Sequence, residues 1–103
     1  MHLELDQDGH LINYTHWNET IAQELANGLD IQLSDWHFKV LNGVRAFHQQ
    51  FGYSPATRPL IKFLIKTVDS DITNVQLQQA FNTGLVARQL SRIAGVPKPA
   101  NCL

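Results

Sequence analysis

The chain has 103 residues, 44% of them apolar, which suits one domain with a buried core. Its net charge of −1 and single cysteine exclude a strongly basic nucleic-acid-binding domain and a disulfide-stapled scaffold. No apolar run reaches the ~20 residues of a membrane span, and the acidic, alternating start Met1-His2-Leu3-Glu4-Leu5-Asp6 does not read as a secretory leader. These features lead us to expect a reducing, cytoplasmic setting.

Charge is unevenly divided. Residues 1–51 carry seven acidic groups against Lys39 and Arg45, and residues 52–103 carry six basic groups against two acidic ones. The half that holds the cysteine is therefore positive. That half could be a plain solvated face, or could favour a thiolate or an acidic partner.

In chain order, alternation over 2–6, the Asp8-Gly9 turn signal and His10-Leu11-Ile12 predict a short β-hairpin packed on helices. Trp17, Ile21 and Leu25 are helically spaced, predicting a first helix over 17–26 that stops at Asn27-Gly28. Ser34 reads as the N-cap of a long helix, with Leu33 and Phe38 placed as a hydrophobic staple. Trp36, Val40, Val44, Phe47 and Phe51 form its apolar stripe, and Gly52 closes it.

Thr57 is a candidate cap for a third helix, whose first turn tolerates Pro59. Ile61, Leu64, Ile65 and Val68 make its predicted buried stripe, and Arg58, Lys62 and Lys66 lie on another face. Thr73 caps a short helix containing Val75, Leu77 and Phe81. A last helix runs over about 85–94, with Val86, Leu90, Ile93 and Ala94 inward and Arg88 and Arg92 four apart. The fold class expected is mostly α (α+β): a small orthogonal helical domain, with an N-terminal β-hairpin and a flexible C-terminal arm over 96–103.

That arm carries the chemistry. Gly95 stops the helix, Pro97 and Pro99 bracket Lys98, and Cys102 stands one residue from the last position. A stiff tether with a thiol near its tip suits a group that visits partners, and suits self-contained catalysis poorly, because catalysis needs fixed geometry. The five histidines form no HxxxH or HExxH pair, and no metal site or cofactor is expected.

The run Gln89-Leu90-Ser91-Arg92-Ile93-Ala94-Gly95-Val96-Pro97-Lys98-Pro99 with Cys102 resembles the DsrC/TusE family. Further matches are Trp36-His37, Val44-Arg45-Ala46-Phe47, Ser54-Pro55-Ala56 and the stretch from Arg58 to Lys62. Leu85-Val86 stand where the family pattern has Gly-Pro. The resemblance implies a helical domain whose Cys102 carries sulfur as a persulfide. A second cysteine separates the subfamilies, and Ser91 occupies its position here, which points to the single-cysteine relay group. The implied partners are a sulfur-donor complex of the TusBCD type and a tRNA-thiouridylase-like acceptor, with tRNA met only indirectly. Nearby cations would favour the thiolate and its persulfide, Lys98 on the arm and Arg88 and Arg92 if the arm folds back, and the resemblance implies Arg45, Arg58 and Lys62 as a docking face. The rival readings are a gamma-subunit-like partner of dissimilatory sulfite reductase and a helical nucleic-acid-binding module.

Overall fold

The computed structural model describes residues 3–100, and within them the chain forms five α-helices and no strand. They are α1 (Glu19–Asn27), α2 (Asp35–Phe51), α3 (Thr57–Thr67), α4 (Asn74–Ala80) and α5 (Val86–Ile93), preceded by a 3-10 turn at Tyr14–His16.

The expected N-terminal hairpin is not formed. One antiparallel bridge, Leu5 to Leu11, joins the two sides of the turn. The reason is local. The Asp6 carboxylate accepts from the backbone N–H of Asp8 and of His10, each at 2.9 Å, so the side chain supplies what a strand ladder would otherwise provide. After Ile12 donates to Glu4 O, Asn13 caps the 3-10 turn and the chain leaves its partner. Leu11 is buried and Leu5 is 37% exposed, so this segment rests on the helices by one side only.

The helix caps follow from side-chain chemistry. Asn18, Ser34 and Thr73 each accept an N–H from the first turn of α1, α2 and α4. The first helix therefore begins two residues later than its apolar spacing suggested, and Trp17 stands outside it. Ser34 forms a capping box with His37, whose Nδ1 accepts from Ser34 N at 3.1 Å. Nε2 of His37 then carries the proton and donates to Ala80 O at 2.9 Å, tying α2 to α4. Thr57 is the first residue of α3 and Ala56 stands at its N-cap, with no side-chain cap bond.

α2 packs against α3 and α5, and α5 is also touched by α1 and α4, so α5 is the central helix. Gly43 is what lets α3 lie close to α2: a Cβ there would stand 2.6 Å from Leu64 Cδ2. The core is Val40, Leu41, Val44, Leu60, Leu64, Leu77, Phe81, Leu90 and Ile93, all fully buried. Each contributes about 1.5–3 kcal/mol by removal from water. Three residues depart from their predicted stripes. Ile65, Phe51 and Val75 are 38%, 46% and 60% exposed.

Candidate functional site

The segment after α5 is where the sequence places the chemistry, and it is held to the body one carbonyl at a time. Trp17 Nε1 donates to Ile93 O at 2.8 Å, and Arg45 Nη1 donates to Ala94 O at 2.9 Å. His10 Nδ1 donates to Val96 O at 3.1 Å, and Ser54 Oγ donates to Pro97 O. The four donors come from the N-terminal turn, the approach to α1, the middle of α2 and the loop before α3. Trp17 and Arg45 satisfy carbonyls that the end of α5 leaves without internal partners, and His10 and Ser54 hold two carbonyls just beyond it.

Gly95 makes this close approach feasible. Its φ is +74°, and a Cβ would stand 2.4 Å from Trp17 Cδ1, so Trp17 packs directly against the turn that ends α5. Arg45 stacks over the same indole, 4.5 Å from its centre, and its Nη2 donates to Tyr14 O at 3.0 Å. Burial lowers the Arg45 pKa from its ordinary value, while Tyr14 raises it to a lesser degree. Burial, then the Arg45 charge, lowers the pKa of His48. Tyr14, Arg45, His48, Gln49 and Val96 line a ≈ 500 Å³ cavity at the root of the tail.

The last described residues continue the pattern. Val96 and Pro99 are buried, and Lys98 Nζ lies 3.5 Å from Asp8 Oδ2. Asp8 also meets Arg88 Nη2 at 3.7 Å. Expected as a tether from residue 96 onward, the tail is thus anchored through Pro99. Cys102 lies outside the described residues.

The cations singled out in the sequence fall into three places. Arg88, Arg92 and Lys98 converge around the turn at Asp8-Gly9. Arg45 sits at the tail root, bonded to carbonyls. Arg58 and Lys62 are exposed on α3, and Lys62 borders an apolar groove with Phe47, Phe51, Pro59 and Phe63. Ser91 is fully buried on α5, its hydroxyl without a hydrogen-bond partner among the described residues. Sequence reasoning missed the four clamping donors as a set. His10 and Trp17 read as a hairpin residue and a helix residue. Only the indole N–H, which seeks a partner when buried, hinted at the role of Trp17.

Fold and site together define a small helical domain that fastens the segment after α5 to its body by a polar clamp. The chain belongs to the DsrC-like protein family, whose sequence profile matches residues 1–103. Among its relatives, a sulfurtransferase TusE homolog from Haemophilus influenzae is 40% identical over 102 residues, covering 98% of this chain and 93% of the relative. Sulfurtransferase TusE from Yersinia pseudotuberculosis is 38% identical, covering 98% and 94%. Among solved structures, the fold is similar to the oxidized gamma-subunit of dissimilatory sulfite reductase (DsrC) from Archaeoglobus fulgidus. The TM-score is 0.80 and identity 31%, over 98% of this chain and 92% of that one. DsrC from Allochromatium vinosum matches with TM-score 0.85 and 28% identity, over 98% and 90%.

Proposed function

We propose that this protein is a sulfurtransferase of the sulfur-relay type, carrying sulfur as a persulfide on Cys102 and passing it to an acceptor enzyme in tRNA thiolation. What carries the reading is the whole-length likeness to relatives named sulfurtransferase TusE, joined to a chain end whose only thiol follows a clamped stalk. The sequence holds a single cysteine, so closure of an internal disulfide is not open to it. This favours the relay over a gamma-subunit-like role that would use two thiols.

The step is balanced and needs no outside oxidant. The Cys102 thiolate attacks the outer sulfur of a donor persulfide, the donor S–S bond breaks, and the donor leaves as a thiolate. A new S–S bond forms on Cys102, and the acceptor later draws on its outer sulfur. Lys98, Arg88 and Arg92 give the tail a positive surround that favours thiolate and persulfide anion. Arg45 works through the tail backbone, fixing the direction in which the stalk leaves the body. Arg58 and Lys62, beside the exposed Phe51 and Phe63 groove, form the docking face for a protein partner. The donor is a complex of the TusBCD type and the acceptor a tRNA thiouridylase, in the cytoplasm. Among the described residues no helix is long and apolar enough to cross a membrane.

The test is intact-protein mass after incubation with a persulfide-charged sulfurtransferase. The wild-type chain is expected to gain about 32 Da, removable by a thiol reductant, and Cys102→Ser to gain nothing. A wild-type protein that never gains this mass, or a serine variant that still delivers sulfur, overturns the proposal.

A further inference from the structure

A groove of ≈ 490 Å³ opens between the end of α2 and α3. Its walls are apolar: Phe47 and Phe51 come from α2, and Pro59, Phe63 and Ile65 from α3. Phe47 is buried, while Phe51 and Ile65 stand well out in solvent. Tyr53, 60% exposed, extends the patch, its ring 5.7 Å from Phe47 and 6.4 Å from Phe51. A lone exposed apolar side chain is ordinary. A contiguous cluster of them marks a surface that another molecule covers.

Charge selects what that molecule is. Lys62 and Lys66 line the groove one turn apart on α3, and Arg58 stands a turn before them. All three are exposed, and among the described residues none of them forms an ion pair. From Trp36 to Val68 the sequence holds no aspartate or glutamate, so neither helix offsets these cations near the groove. From α2 the groove takes only Phe47 and Phe51, so its charge lies along the α3 side alone. A covering surface therefore needs apolar side chains in the middle and carboxylates on one flank. Shape narrows the choice further. The 11 residues of α3 span about 16 Å, the length of three helical turns. A furrow between two helices takes the ridge of a third. The aromatic rings meet one another at 46° to 83°, which gives no common flat platform for stacked bases.

We propose that this groove receives an acidic amphipathic helix of a partner protein. Apolar side chains at i, i+4 and i+7 of that helix lie against Phe51 and Phe63, and carboxylates one turn apart on its flank meet Lys62 and Lys66. This gives a chemistry to the partner of the docking face assigned above, and rests on that reading for the role of the contact. The contact itself does not involve Cys102.

The probe is a helical peptide of about 15 residues, with Leu at i, i+4 and i+7 and Glu along one flank. It is titrated into the full chain carrying Cys102→Ser and followed by amide NMR shifts. Saturation is expected, with shifts centred on residues 47–53 and 58–66. A peptide with Gln in place of Glu should bind about three- to tenfold more weakly at low salt, and the gap should close at high salt. Lys62→Glu combined with Lys66→Glu, both at exposed positions, should reverse the preference and take a peptide with Lys in place of Glu. Phe51→Ser should weaken binding of the Glu peptide about tenfold. Peptide binding without any sulfur gain on the wild-type chain strikes the relay reading alone, and sulfur gain without peptide binding strikes the groove alone. No saturable shift, or equal affinity for the Glu and Gln peptides at low salt, overturns the proposal. So does tighter binding at these amides by oligouridylate or by phosphatidylglycerol vesicles, which assigns the groove to RNA or to a lipid surface. Shifts at the same amides on raising the protein concentration alone assign it to a second copy of this chain, and overturn it as well.

Discussion

The α2–α5 core and the tail clamp are both buried, but they are held by different forces. The core is a block of aliphatic and aromatic side chains with exposures near zero, and its cohesion is non-directional. The clamp is four hydrogen bonds from four separate segments to four successive-region carbonyls, around one glycine pressed on one indole. Removing core volume should weaken the whole molecule. Removing one clamp bond should loosen the tail and leave the helices standing.

The largest effect should come from the core. Leu41→Ala, at a fully buried position, is expected to cost about 2–5 kcal/mol in denaturant unfolding. The fraction that remains folded should still accept sulfur. Next is Gly95→Ala, which must place a Cβ where φ is +74° and Trp17 is already in the way. A loss of about 2 kcal/mol is expected from the left-handed conformation together with the clash. It should be accompanied by new proteolysis around residues 96–100 while helical circular dichroism is kept. If Gly95→Ala instead melts the helices as Leu41→Ala does, the separation of core and clamp fails.

Trp17→Phe keeps most of the apolar surface and deletes one donor, leaving Ile93 O unpaired. About 1–2 kcal/mol is expected, with faster hydrogen exchange at Gly95 and Val96 and little change in α2. The smallest effect is acid sensitivity. Burial and the Arg45 charge lower the His48 pKa below 6.5, and the His10 N–H, the largest of several bonds, lowers that of Asp6 below 3.8. In both cases the unfolded chain binds more protons within the window, so stability falls as pH drops. The decline begins near 6.5 for His48 and near 3.8 for Asp6, and Asp6, almost wholly exposed, adds only a small part. His48→Gln should remove the upper part of the slope in a pH series of denaturant midpoints.

Much of the helical fold is legible in the sequence because helix signals are local. Ser34, Thr73 and Gly52 mark ends within a residue, and Val86, Leu90 and Ile93 name the buried face of α5. The hairpin misled because alternation and Asp-Gly describe a turn equally well when an aspartate captures the backbone N–H groups itself. Ile65 misled because helical periodicity says which face is apolar, and not how far a neighbour extends to cover it. The clamp was illegible for a third reason. Its bonds span 43 to 86 residues, and the acceptors are backbone carbonyls, which every residue has. Of the cations, the meeting of Arg88 and Lys98 at Asp8 likewise depends on how the turn folds onto α5, which no spacing rule encodes.

Under the proposed relay role of Cys102, anchorage of the chain through Pro99 sets a depth gauge for the acceptor enzyme. With the stalk fastened, only two peptide steps separate Ala100 from Cys102, a reach of about 7 Å. An acceptor whose reactive centre lies near its surface can be served that way. A centre buried some 20 Å down would require the stalk to peel off as far as Val96, at about 3.3 Å per residue. The depth of the receiving tunnel thus dictates whether docking must first undo His10 and Ser54.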